Sequence, residues 1–229
     1  MKKILLLPLL GTFSAVAAEP LNYNVVSFSE QANATVAHDL MTVTLVVREE
    51  GRDRRSVGNT LTRRLNTVQA KIAENRILRA ELIGRNIQPR YEKGKIVRWN
   101  DTAYIKVKSK NFQALNKLVA EVQNEALLNN LYFSVSPEKR SETVNELSSQ
   151  ALKNFRTRAD VVSSALGFSG YKIININING NFNSNVSAKI MRASAPAAVT
   201  AYDAASEMTA EHPGSEEISQ IVSGTVQMQ

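Results

Sequence analysis

The stretch SPEKRSETVNELSSQALKNFRTRADVVSSALG, residues 136–167, decides how the rest of the chain is read. Val144, Leu147, Ala151, Phe155, Ala159, Val162 and Leu166 recur at spacings of 3, 4, 4, 4, 3 and 4. That period lays one apolar stripe along a helix. Ser136 is an N-cap with Pro137 at the first helical position, and Gly167 closes the far end. The helix is the best-determined element in the chain.

Working outward, strands and shorter helices alternate. Toward the C-terminus, Tyr171–Asn179 alternates strictly, with Ile174, Ile176 and Ile178 on one face and Asn175, Asn177 and Asn179 on the other. Ser184 to Gly214 is an Ala/Ser-rich excursion without periodicity, and Glu217–Met228 is a final strand. Toward the N-terminus, Leu131, Phe133 and Val135 mark a short strand, and Asn111–Glu125 reads as a helix. Two strands, Glu81–Tyr91 and Asp101–Ser109, flank a turn at Glu92-Lys93-Gly94-Lys95. Before them, Val57, Leu61, Leu65, Val68 and Ile72 predict a helix from an Asp53 cap to about Asn75. Asn22–Val36 and Leu40–Val47 read as strands joined by His38-Asp39, expected to pair as an antiparallel hairpin with the second strand central. The order β-β-α-β-β-α-β-α-β-(excursion)-β predicts an α+β fold. An antiparallel or mixed sheet carries three helices mainly on one face.

Composition narrows the chemistry. The 229 residues contain no Cys and two His. That excludes a disulfide framework, a thiolate metal site and a cysteine nucleophile. Lys2 and Lys3, the apolar run Ile4–Leu10 and the small residues Ser14–Ala18 have the form of a secretory signal peptide cut before Glu19. The expectation is therefore a signal peptide over 1–18, one domain over 19–229 with 184–214 as its excursion, and a periplasmic destination. Peripheral association with the outer membrane is a further option. No transmembrane segment is expected in the processed chain, because no run approaches the roughly 20 apolar residues needed to span.

Nucleotide, zincin and nucleophile-elbow motifs are missing from the sequence. Glu49-Glu50 and Glu216-Glu217 are adjacent and point to opposite faces, so they read as solubilising groups. His38 reads as a solvated turn residue and His212 as part of the excursion. No catalytic residue, metal ligand or cofactor is expected. Two features invite a contact. Arg52, Arg54, Arg55, Arg63 and Arg64 crowd the first helix and form a candidate anion-binding cluster. The alternative is the solvated face of an amphipathic helix. The stretch has no aromatic residue for base stacking, so nucleic acid is not the expected partner. The second feature is the Asn175/Asn177/Asn179 row: Asn is a poor strand former, so the row is either a solvated face or a contact surface.

Four motifs, in this order, resemble the SIMPL-domain family. They are Phe28-Ser-Glu-Gln-Ala-Asn-Ala-Thr-Val-Ala-His-Asp39 leading into Met41-Thr-Val-Thr-Leu45; Asn86-Ile-Gln-Pro-Arg-Tyr91; Arg158-Ala-Asp-Val-Val-Ser-Ser-Ala-Leu-Gly167; and the Ala/Met/Pro-rich excursion followed by Pro213-Gly-Ser-Glu-Glu-Ile218. The chain departs from the family pattern at His38, where Pro is usual, and in its Asn-rich strand. The resemblance covers about Tyr23 to the C-terminus and implies an exported α+β protein. It also implies ring-like homo-oligomers in some members, a loose link to oxidative or envelope stress or to partner binding, and no catalytic residues. The expectation drawn from residues and resemblance together is a non-enzymatic periplasmic protein that self-assembles as a scaffold or stress factor. The alternative is a module that binds an anionic envelope component through the Arg-rich helix. Self-association is expected through strand edges and the excursion, with the uncharged last strand as a candidate edge.

Overall fold

His38 and Asp39 do not close a hairpin; they carry the chain from one sheet into another. The computed structural model describes residues 23–180 and 213–229. Residues 1–18, read above as a signal peptide, His212 and nearly all of the expected 184–214 excursion lie outside the described residues. The first strand, β1 (Val25–Ala37), pairs with the last, β7 (Ser215–Met228), over its whole length. The second, β2 (Leu40–Gly51), pairs with β4 (Lys95–Ser109) and β5 (Leu127–Ser134). The expected β1–β2 hairpin is thus overturned. A two-residue hairpin loop needs positive φ, and neither His38 nor Asp39 adopts it. Instead the His38 N–H donates to the Gly214 carbonyl at 3.0 Å and the Asp39 N–H to the Ser134 carbonyl at 3.2 Å. Consecutive residues therefore belong to opposite sheets. The contrasting case is Lys93-Gly94, with φ of 49° and 77°, which joins β3 (Arg79–Glu92) to β4 as a tight hairpin.

The result is α+β with two antiparallel sheets in place of one. The larger has strand order β3-β4-β2-β5 and the smaller β1-β7-β6, where β6 is Tyr171–Gly180. Each sheet has its own helices. α1 (Arg54–Ala73) and α2 (Phe112–Glu121) lie on the larger sheet, and α3 (Pro137–Ala165) lies on the smaller. Two cores follow. Met41, Val43, Leu45 and Val47 of β2 meet Leu61, Leu65 and Val68 of α1 and Leu115 of α2. Ala32 and Val36 of β1 and Ile218, Val222 and Val226 of β7 meet Leu147, Ala151, Phe155 and Ala159 of α3. Burying one such side chain stabilises by about 2 kcal/mol. As expected, β2 is central, and Thr42 and Thr44 on its second face are buried too.

α3 follows its predicted course. Ser136 accepts from the Lys139 N–H, and Gly167 ends the helix with φ of 78°. Ser163 is buried at the end of the stripe while Leu166 is 58% exposed, because the Ser163 hydroxyl donates to the Gly170 carbonyl at 3.0 Å. The Phe155 ring stacks on Phe28 at 4.4 Å and lies over Gly224 of β7, where a side chain would collide with it.

Two further expectations are corrected. β7 is not an edge; it is the central strand of the smaller sheet, with β1 and β6 beside it. In β6 the register slips between Ile173 and Asn175, so Ile174 is the extra residue of a bulge. Ile176 packs on the core, while Ile174 is 54% and Ile178 45% exposed. Strict alternation in sequence does not reveal a bulge, because the inserted residue is itself an Ile.

Candidate functional site

Arg52, which precedes the Asp53 cap, and the four arginines Arg54, Arg55, Arg63 and Arg64 of α1 do not form one cluster. Asp53 caps α1 by accepting from the Ser56 N–H at 2.7 Å. Arg54 stacks over the Trp99 ring at 5.3 Å. Arg64 is turned into the body of the protein. It pairs with Glu49 and Glu125, each at 3.2 Å, and donates to the carbonyls of Arg48 and Asn124 at 3.0 and 2.9 Å. Arg63 donates to the Thr60 hydroxyl. Arg52 and Arg55 are exposed, without an ion pair among the described residues. Along the helix, Arg55 and Arg64 are nine residues apart, about 13 Å at 1.5 Å per residue. An arginine that sequence reasoning passed over does more: Arg85 of β3 pairs with the buried Asp101 carboxylate at 2.6 Å. It also donates to the Gly58 carbonyl and the Thr62 hydroxyl, tying α1 to the sheet. Nothing in the β3 sequence singles Arg85 out.

The asparagine row does lie on one face. Asn175, Asn177 and Asn179 stand opposite Thr225, Ser223 and Ile221 of β7, on the side away from α3. The same face continues across β1, where the Ser27 and Thr225 hydroxyls bond at 2.8 Å and those of Ser29 and Ser223 at 2.9 Å. Ser27, Ser29, Asn175, Asn177, Ser223 and Thr225, but not Asn179, line a shallow, uncharged depression of about 350 Å³. The outer edge of β6 pairs with no strand among the described residues.

A second concavity lies elsewhere, at the end of the larger sheet, and sequence reasoning missed it. A cleft of about 980 Å³ forms where the starts of β2 and β3 and the end of β4 meet the N-termini of α2 and α3. Leu40, Ile77, Phe112 and Pro137 supply its apolar wall, and Arg79, Lys108, Lys110 and Glu138 its charge. Lys110 bridges Glu138 at 3.1 Å and Asp39 at 3.7 Å. The Glu138 carboxylate holds the Lys110 ammonium above its ordinary pKa, and in turn Lys110 holds Glu138 below its own. The residues of the cleft come from segments distant in the sequence.

Beside the cleft the two cores are pinned together. The Asp39 carboxylate accepts from the Ser136 N–H at 2.6 Å and the Ser136 hydroxyl at 2.7 Å, so it positions the cap of α3. Burial alone pulls its pKa upward. The two Ser136 bonds, with Lys110 and Lys139 nearby, outweigh that and leave it lowered. His38, expected to be solvated, is half-buried, with Nδ1 at 2.8 Å from the Pro213 carbonyl oxygen. A carbonyl only accepts, so Nδ1 carries the proton; Nε2 is buried without a partner among the described residues. Among the described residues, no helix is long and apolar enough to cross a membrane.

A family model described as "SIMPL: Protein of unknown function (DUF541)" matches residues 26–227. A search of curated proteins found no match. Among solved structures, the de novo designed protein Foldit4 aligns at 11% identity over 42% of this chain and 98% of its own, with a TM-score of 0.24. AtUAH in complex with glyoxylate aligns at 10% identity over 54% and 34%, with a TM-score of 0.27. An unknown protein from Galdieria sulphuraria aligns at 10% identity over 81% of each chain, with a TM-score of 0.21. At such scores these structural likenesses carry no argument.

Proposed function

This chain belongs to the SIMPL family, a family of unknown function, and on that footing we propose that it is an exported, non-enzymatic protein that self-assembles through the free edge of β6 and serves as an envelope scaffold or stress factor. The observation that carries this reading is the composition of that edge. From Ile173 to Gly180 the strand has no charge and no Pro. Ile173, Ile174 and Ile178 are 41%, 54% and 45% exposed. Sheet edges are ordinarily protected by Lys, Pro, covering loops or very short strands. Here an edge of ten residues, about 34 Å long, offers its N–H and C=O groups to another strand. Pairing β6 with β6 of a second copy would close a twofold dimer. Pairing it with β1, the other edge of the same sheet, would propagate head to tail and could close into a ring. Either arrangement extends the Asn/Ser/Thr face across copies. Export rests on the Met1–Ala18 segment, whose form matches a cleaved signal peptide.

The test is the solution mass of the processed protein at tens of micromolar, beside an Ile174→Lys/Ile178→Lys variant. A wild type larger than a monomer, and a variant that dissociates while keeping its circular-dichroism spectrum, are expected. A monomeric wild type would remove the reading.

A further inference from the structure

The cleft at the end of the larger sheet is electrostatically unfinished. In the β3–β4 ladder, Glu81 stands directly opposite Lys106, a complementary pair. The next pair on the same face is Arg79 opposite Lys108, two cations, and it is this pair that lines the cleft. Like charges directly opposite on a sheet destabilise it. Neither Arg79 nor Lys108 has a carboxylate partner among the described residues, so only solvent screens the exposed pair. α2 adds to the imbalance. Its first turn contains no acidic residue, although the positive end of a helix dipole favours one. Lys108 and Lys110 stand there instead. Glu138 answers only Lys110. Against this cationic side lies an apolar wall in which Ile77 is 49% exposed. The volume falls at the upper end of the range for small-molecule sites, about 300–1,000 Å³.

We propose that this cleft binds an anionic amphiphile. Arg79 and Lys108 hold its phosphate or carboxylate head, while Lys110 stays bridged to Glu138 and Asp39, and Leu40, Ile77 and Phe112 take the adjoining part of its apolar chain. An anion between Arg79 and Lys108 turns a repulsive pair into a clamp, while the wall excludes fully hydrated ions in favour of a head with a tail. Both a free single-chain amphiphile and a lipid in a bilayer carry this chemistry. The site is independent of the β6 edge.

The full processed chain is titrated calorimetrically with decyl phosphate below its micelle concentration. Inorganic phosphate, decyl maltoside and anionic phospholipid vesicles are titrated in parallel. Decyl phosphate should bind once per chain, at least about tenfold more tightly than phosphate or the maltoside, and more weakly as salt rises. An Arg79→Gln/Lys108→Gln variant should lose about tenfold or more, yet melt no lower than wild type because the like-charge pair is gone. Ile77→Gln, at a half-exposed position, should weaken decyl phosphate and leave phosphate unaffected. Arg52→Gln/Arg55→Gln should bind as wild type does. Vesicle binding in addition, lost in the same variant, would identify a bilayer lipid as a source; its absence would identify the free amphiphile. Three results would overturn the proposal: phosphate binding as tightly as decyl phosphate, undiminished binding by the Arg79→Gln/Lys108→Gln variant, or binding to vesicles alone.

Discussion

Replacing Gly224 by Ala adds one methyl group to a place with no room for it. A Cβ built there lies 2.7 Å from the Asn175 carbonyl oxygen, 2.7 Å from Phe155 Cζ and 3.0 Å from Ile176 Cδ1. In an open strand the change would stabilise by about 0.5–1 kcal/mol, since Gly is a poor strand residue. Overpacking costs about 1–3 kcal/mol. The upper half of that range applies here, because one contact is a backbone oxygen in the β6–β7 ladder that cannot rotate away. The net is a loss of about 1–2 kcal/mol, or a Tm lowered by roughly 2–8 °C for a chain of this size. Thermal unfolding followed by far-ultraviolet circular dichroism reads it directly, since α3 on this sheet is the longest helix at 29 residues. A double-mutant cycle assigns the cause. Phe155→Leu alone should lose about 2 kcal/mol through the cavity and the broken stack on Phe28. Combined with Gly224→Ala, it should recover about 1 kcal/mol of coupling, because only the Phe155 half of the clash is removed. A Gly224→Ala protein that melts at or above the wild type would refute the packing of α3 on β7. Strict additivity would refute the contact with Phe155.

Two further outcomes follow from the junction and the buried ion pair. Asp39→Asn should destabilise by about 1–3 kcal/mol at neutral pH by removing the charge from two hydrogen bonds to Ser136. Because the folded carboxyl is held below its ordinary value of 3.8, the wild-type contribution is present above that value and is lost as pH falls through the folded pKa. Denaturant melts across the acid range should therefore converge for wild type and Asp39→Asn, and a gap that persists at the lowest pH would contradict the assignment. Arg85→Met should cost about 3 kcal/mol by leaving the Asp101 carboxylate, 1% exposed, without its partner. Adding Asp101→Asn should restore part of that loss in urea unfolding, and no restoration would mean that Arg85 acts by packing alone.

The helices and most strands were legible because their information is local. The α3 stripe, its Ser136 cap and its Gly167 stop are all set within one segment, as are the α1 stripe and the Lys93-Gly94 turn. A turn of two residues with positive φ needs only its own backbone. What the sequence could not carry is which strands meet. β1 and β2 are separated by two residues, yet they enter different sheets, because the partners of His38 and Asp39, namely Gly214 and Ser134, lie about 180 and 100 positions away along the chain. β7 looked like an edge by its lack of charge. It is central because β1 and β6 bond to both its sides, and a central strand has no exposed edge for charge to protect. The arginines of α1 shared a segment but not an environment: at i and i+1 their side chains diverge by about 100°. Arg64 turns inward to Glu49 and Glu125 while Arg55 faces water. The cleft is the reverse case, with unremarkable residues from five elements brought to one place. Local pattern therefore determined the elements and the α+β class. Long-range pairing alone decided the two-sheet topology, the outer position of β6 among the described strands and the like-charged pair Arg79–Lys108, since hydrogen-bond partners and cross-strand neighbours are chosen by register and not by proximity in sequence.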